Sequence, residues 1–346
     1  MANQSSSSSS SSSYPILCAS FNQDASHFVI GTREGFKVFD SNTGRLCYER
    51  AIGAFIVVEM LFTSSLLAIV GAGEQVLGPC YLQRLIVILQ DKTYVYDINK
   101  VKILDAIDTV PNLKGLCGFS PSLDGCFLAL PASITKGSVL LYNVMELQSH
   151  CEIDAHRAPL AAIVLCSNGM HIATASEQGT IIRVHLVSDA TKSYSFRRGR
   201  YPSTIFSLSF APSMQIPDIL VATSSSGSLH VFSLGFALNQ RSRKSSTILG
   251  SIIPDSITDV LDPAHRHVLH SAVTAGVKSN AVIRKVDKVA DASTPGIASC
   301  KATISIITYN GYFQEYSFRL NYQNEPLWTL EHEFNLLSPV SDNASS

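Results

Sequence analysis

Gly137-Ser138-Val139-Leu140-Leu141-Tyr142-Asn143 and Gly227-Ser228-Leu229-His230-Val231-Phe232-Ser233 are two copies of one unit. Each has a Gly/polar turn, a short alternating strand, and an aromatic followed by a small polar residue. The unit recurs as Glu34-Gly35-Phe36-Lys37-Val38-Phe39-Asp40 and Asp91-Lys92-Thr93-Tyr94-Val95-Tyr96-Asp97. It returns as Gly179-Thr180-Ile181-Ile182-Arg183-Val184-His185 and Gly311-Tyr312-Phe313-Gln314-Glu315-Tyr316-Ser317. Alternate positions are apolar, the period of a β-strand with one face buried.

Working outward, the closing positions 40, 97, 143, 185, 233 and 317 are separated by 57, 46, 42, 48 and 84 residues. Three steps lie near the ~40–45 residues of a propeller blade of four short strands. A further strand precedes each anchor, as in Phe127-Leu128-Ala129-Leu130 and Ile219-Leu220-Val221-Ala222. The spacing predicts an all-β, seven-bladed, WD-repeat-like β-propeller over residues 14–337, its second blade abbreviated around Gly71 to Leu85. The 84-residue step predicts a long insertion at about 234–300, between blades six and seven. Closure is expected to pair Pro15–Phe21 with the strands of Thr303–Asn335, removing free sheet edges.

Composition narrows the function. The chain has 346 residues, 46% hydrophobic and 15% charged, enough for a buried core and against disorder. A net charge of -1 excludes nucleic-acid binding through a global basic field. Eight scattered cysteines without a CxxC suit reduced thiols of a cytosolic protein better than a disulfide scaffold or zinc ribbon. Residues 1–13, including the run Ser5–Ser13, and residues 338–346 read as disordered tails, with no secretion signal. Ala54–Gly73 imitates a membrane span, but Glu59 lies mid-run and Thr63-Ser64-Ser65 splits it into two strand-length halves.

The chemistry centres on Phe196-Arg197-Arg198-Gly199. Successive side chains of an extended strand point to opposite sides, so Arg197 and Arg198 can serve separate pockets. Guanidinium suits bidentate phosphate recognition. The preceding blade supplies His156, Ser176 and Thr180; the following one supplies Thr223, Ser224, Ser228 and His230. Taken alone, the Arg pair also fits a solvated strand end, and the hydroxyls also fit ordinary turn chemistry. A peptide-binding scaffold propeller without lipid specificity is therefore the alternative.

With these residues in place, the sequence resembles the PROPPINs, autophagy-related β-propellers that bind polyphosphoinositides and carry an FRRG signature. Thr109-Val110-Pro111-Asn112, Lys114-Gly115-Leu116-Cys117 and Glu152-Ile153-Asp154-Ala155-His156 match as well. The resemblance extends from about Leu17 to Leu337 and is closest to plant members. It implies binding of phosphatidylinositol 3-phosphate and phosphatidylinositol 3,5-bisphosphate at two sites. Arg197 would serve the first with His156, Ser176 and Thr180, and Arg198 the second with Ser224, Ser228 and His230. It also implies a cytoplasmic adaptor, peripheral on pre-autophagosomal, endosomal and vacuolar membranes, with no catalysis, cofactor or nucleic-acid partner. An autophagic lipid-transfer protein would contact the family near blades two and three, the surface that the shortening here alters.

In the insertion, Arg241-Ser242-Arg243-Lys244 precedes Ile248-Leu249-Gly250-Ser251-Ile252-Ile253-Pro254, and apolar residues then recur at helical spacing to Val268 and Leu269. Leu249, Ile252, Ile253 and Ile257 are the expected membrane-insertion residues, with the basic residues against anionic lipid. A loop with incidental apolar residues is the plainer reading. His265, His267 and His270 fit a polar loop better than a metal site. Neither a nucleotide-binding motif nor HExxH or GxSxG is present.

Overall fold

The computed structural model describes residues 15–64, 66–71, 80–81, 84–120, 126–191, 193–212, 219–234, 266–290, 298–320 and 325–338. Every helix or strand assigned among them is a strand. The first sheet runs in chain order through β1 (Ile16–Phe21), β2 (His27–Thr32), β3 (Phe36–Asp40) and β4 (Leu46–Arg50). A two-stranded sheet follows, β5 (Phe55–Met60) with β6 (Leu67–Gly71). The third comprises β7 (Cys80–Tyr81), β8 (Arg84–Ile88), β9 (Lys92–Asp97) and β10 (Lys102–Asp108). The fourth comprises β11 (Gly118–Phe119), β12 (Phe127–Pro131), β13 (Gly137–Asn143) and β14 (Gln148–His156).

The fifth sheet is β15 (Leu160–Leu165), β16 (His171–Ser176), β17 (Ile181–Leu186) and β18 (Ser193–Arg197). The sixth is β19 (Ile205–Phe210), β20 (Ile219–Ser224), β21 (Leu229–Ser233) and β22 (Arg266–Leu269). The last is β23 (Ser279–Ala290), β24 (Ala298–Thr308), β25 (Tyr312–Leu320) and β26 (Pro326–Asn335). All pairings are antiparallel between neighbours in sequence, as in a propeller blade.

The fold is an all-β propeller, with a correction to the blade count. The described residues form six complete four-stranded blades rather than seven, and β5–β6 stand as a pair where the abbreviated second blade was expected. The run that imitates a membrane span is this hairpin. No helix among the described residues is long and apolar enough to cross a membrane.

Side-chain alternation builds the ring. Most of the sheets bury apolar residues on both faces, and these faces pack on the neighbouring sheets. Ile182, Val184 and Phe196 of the fifth sheet pack with Leu220, Ala222 and Phe232 of the sixth. Ala129, Val139 and Leu141 of the fourth meet Leu160, Ile163 and Ile172 of the fifth. Similar clusters join the sixth to the last, the third to the fourth, and the first to β5–β6. Among the described residues no such buried cluster joins β5–β6 to the third sheet. Leu85, Val87, Tyr94, Tyr96 and Ile103 share one face of the third sheet by cross-strand register. All are partly or largely exposed, whereas Ile86, Ile88 and Val95 on the opposite face are buried.

Closure also differs from the expectation. Pro15–Phe21 does not complete the last sheet: β1 pairs with β2, and β23–β26 are contiguous. The two sheets meet through a phenylalanine stack instead. Phe28 lies 5.0 Å from Phe39 and 4.9 Å from Phe313, nearly parallel to both. Arg284 reinforces the join, donating from Nη1 to the Ser41 carbonyl at 3.1 Å while paired with Glu315 at 2.6 Å.

The expected insertion at 234–300 is narrower as structured chain. β22, β23 and the start of β24 fall inside it, and the helical spacing through Val268 and Leu269 gives way to strand β22. Leu249, Ile252, Ile253 and Ile257 lie outside the described residues, as do residues 1–13 and all of the C-terminal tail except Ser338.

Candidate functional site

The Arg197-Arg198 pair ends β18, the fourth strand of the fifth sheet. Arg197 pairs across the ladder with Ile181 and its side chain is exposed. Arg198 is 6% exposed. The pleat has therefore sent the two adjacent guanidinium groups into different environments. Gly179 makes the turn before β17 at φ +59°, and its carbonyl accepts the Nε–H of Arg198 at 2.7 Å. The Tyr201 carbonyl accepts a second bond, from Nη2. The Arg198 backbone N–H donates to the Thr180 carbonyl at 2.8 Å. Main chain thus fixes both ends of this arginine.

On one flank, between the fourth and fifth sheets, lies a cleft of about 440 Å³. Its walls include Lys136, Asp154, His156, Arg157, Arg183 and His185. His156 ends β14, with Nε2 3.0 Å from the Thr174 hydroxyl and Nδ1 3.4 Å from Nη1 of Arg183. Arg183 also donates to the Ala155 carbonyl. Burial, then the Arg183 charge, pushes His156 down to about 4, and the same two causes push His185 down to about 4. Both imidazoles are neutral at pH 7, beside a guanidinium that has no carboxylate within ion-pair distance among the described residues.

The other flank lies between the fifth and sixth sheets. His230, on β21, is 3% exposed, and its ring stacks on Phe232 at 6.2 Å with an 8° interplanar angle. Neither of its ring nitrogens has a hydrogen-bond partner among the described residues. Burial, then Arg198, Arg266 and His270, drives it down to about 3. The Ser228 hydroxyl lies 3.5 Å from Nδ1 of His270, and the Ser224 hydroxyl 2.9 Å from that of Ser226. Thr223 is occupied structurally, bonding Ser207 and the Ser279 carbonyl.

The structure gathers Arg198, His230 and Ser228 on the second flank, and His156 on the first. Ser176 is buried at the end of β16 and Thr180 lies in the following turn; neither they nor Arg197 line the 440 Å³ cleft. Ser224 is fully buried and faces Ser226. Sequence reasoning passed over Lys136, Arg157, Arg183 and His185. A usable signal existed, because Arg183 and His185 sit two apart on a strand and so share one face with a cross-strand neighbour. Arg266 was missed because it lay inside the expected insertion, and His270, read there as part of a polar loop, lies 3.5 Å from the Ser228 hydroxyl.

A sequence profile described as PROPPIN matches residues 79–260. The chain is 63% identical to Autophagy-related protein 18b of Arabidopsis thaliana, over 94% of this chain and 96% of the relative. It is 31% identical to Autophagy-related protein 18 of Dictyostelium discoideum, over 95% of each. Among solved structures, Kluyveromyces lactis Hsv2 superposes with a TM-score of 0.67 at 18% identity, covering 94% of this chain and 100% of that one. A complex of KlAtg21 with the coiled coil of AgAtg16 contains a chain similar at TM-score 0.65 and 20% identity, covering 93% and 99%. These two likenesses concern the fold.

Proposed function

The chain belongs to the PROPPIN family, and from that membership we propose that it is an adaptor reading 3-phosphorylated inositol headgroups on membranes during autophagosome formation. The ligands are phosphatidylinositol 3-phosphate and phosphatidylinositol 3,5-bisphosphate. The observation that carries the reading is His230: a buried imidazole with two unpartnered nitrogens, beside guanidinium groups that lack a carboxylate partner among the described residues. A buried polar group without a partner costs about 1–3 kcal/mol. A phosphate oxygen beside His230 would accept from its ring N–H, close to the charge of Arg198. The first flank supports the same chemistry with Arg183, Arg157 and Lys136 around one cleft.

In this reading Arg197, His156, Ser176 and Thr180 serve one headgroup, and Arg198, Ser224, Ser228 and His230 the other. Leu249, Ile252, Ile253 and Ile257 enter the bilayer, adding avidity to two weak headgroup contacts. The β5–β6 hairpin is the part of the abbreviated second blade that stands among the described residues. The role is binding, not catalysis, at pre-autophagosomal, endosomal and vacuolar membranes. The coiled coil in the KlAtg21 complex makes a coiled-coil partner part of the proposal.

Liposome flotation tests it. The chain should float with vesicles carrying either 3-phosphorylated lipid and not with equally charged phosphatidylserine vesicles. Arg197→Thr/Arg198→Thr should abolish that preference; a folded double variant that still prefers the inositides refutes the reading.

A further inference from the structure

We propose that Arg266 is a second phosphate-binding cation on the Arg198 flank. The inference rests on the headgroup reading and adds to it a residue that the motif does not contain.

The argument begins with the donors of Arg198. A guanidinium has five N–H groups, and its Nε/Nη2 edge is one of the two forks that match a phosphate. That edge is spent in Arg198: Nε donates to Gly179 and Nη2 to Tyr201. Arg198 keeps its charge near the site, but its side-on fork is closed. A neighbouring guanidinium can supply the side-on fork that Arg198 has closed.

Arg266 is placed to do so. It begins β22 and pairs with Phe232 of β21, so its side chain leaves the same face of the sixth sheet as those of His230 and Phe232. Phe232 on that face packs against the fifth sheet, which carries Arg198. From there Nη1 of Arg266 reaches the Arg197 carbonyl at 3.0 Å. Its Nε and Nη2 make no hydrogen bond or ion pair among the described residues.

The electrostatics favour an anion at the same point. Arg198 has its pKa lowered by burial and then by Arg266, and Arg266 by burial. Arg198 and Arg266 both depress His230, and His270 adds to them. No carboxylate among the described residues pairs with either arginine. Like charges gathered with an orphaned imidazole are unfavourable in the empty protein. A phosphate dianion adds an attraction to each of these cations that offsets their mutual repulsion.

The bond from Arg266 to the Arg197 carbonyl gives the residue a second effect. It ties the sixth sheet to the main chain of the motif, so the donor is held in position before ligand arrives and little side-chain entropy is lost on binding.

The test uses the full chain with Arg266→Gln and Arg266→Lys. The probes are vesicles containing phosphatidylinositol 3-phosphate, soluble inositol 1,3-bisphosphate and inorganic phosphate. Arg266→Gln should weaken inositol 1,3-bisphosphate and the vesicles about tenfold, as loss of a charge-assisted contact would. It should also flatten the dependence of affinity on salt, and Arg266→Lys should recover part of both. A purely structural role would lower the melting temperature and leave the salt dependence unchanged. Comparing the soluble probes with vesicles separates recognition of the phosphate from recognition of the bilayer. If the parent chain binds and Arg266→Gln binds equally with the same salt dependence, Arg266 is not a ligand-binding residue. Failure of the parent chain to bind any of the probes overturns the headgroup reading and this inference with it. Should Arg266→Gln not fold, Arg266→Met takes its place, and unchanged affinity with unchanged salt dependence in that variant decides against the assignment.

Discussion

Arg183 places Nη1 3.4 Å from Nδ1 of His156, so the protonation of this imidazole depends on what neutralises the guanidinium. An anion entering the cleft offsets the Arg183 charge and favours the imidazolium, so binding takes up a proton. His230 beside Arg198 behaves the same way. Headgroup affinity should therefore rise as pH falls from 7 toward 5, read by flotation at constant ionic strength.

For the empty protein the sign is opposite. His156, His185 and His230 titrate from 6.5 in the unfolded chain to about 4, 4 and 3 in the folded one. Between those values the unfolded chain binds more protons, so stability falls as pH drops below about 6.5. The melting temperature should decline from pH 7 to pH 5, and less so with inositol 1,3-bisphosphate present. A pH-independent melting temperature would contradict the burial of three neutral imidazoles.

The two arginines of the motif should separate binding from folding. Arg198→Ala removes charge-assisted bonds to the Gly179 and Tyr201 carbonyls and should cost about 2 kcal/mol in urea unfolding. Arg197→Ala, at an exposed position, should change stability by less than about 0.5 kcal/mol while weakening vesicle binding.

Gly179→Ala should be more damaging than its size suggests. The φ of +59° disfavours an L side chain, and a Cβ built there would collide with the Ser203 carbonyl oxygen. We expect a loss of at least about 1 kcal/mol with a parallel loss of binding, since the same turn carries the carbonyl that holds Arg198.

Glu59 offers a test away from the site. It lines a cavity of about 290 Å³ with Lys278 and Tyr309, and burial raises its pKa from 4.5 to about 7, against a bond from Ser20. The folded state binds more protons between those values, so stability contributed by the neutral acid is lost as pH rises through about 7. Glu59→Gln should match the parent chain at pH 4 and exceed it at pH 8 by about 1–2 kcal/mol, allowing for solvent in the cavity.

The repeat was the most legible feature because blade packing imposes it directly. The quoted anchors at 34–40, 91–97, 137–143, 179–185, 227–233 and 311–317 are β3, β9, β13, β17, β21 and β25, each the third strand of its sheet. Period-2 alternation reveals that a segment is a strand but not its partner, which is why β1 was assigned to the wrong sheet. The Arg pair was legible for the same reason of pleat. Arg183 and His185 were hidden inside an anchor read only for its apolar positions. Arg266 was hidden because a long inter-anchor step cannot say where its surplus lies.

The two-stranded sheet that β5–β6 form among the described residues has a mechanical consequence. A hoop under stress parts at its thinnest join, and here that join is not where the chain ends meet, since Phe28, Phe39 and Phe313 are stacked across that seam. It lies between β5–β6 and the third sheet, which no buried cluster joins among the described residues and where Leu85, Val87, Tyr94 and Tyr96 are partly exposed. Thermal breathing will begin there, exposing Tyr94 and Tyr96 to solvent quenchers and proteases while the Arg197–Arg198 half of the molecule keeps its shape.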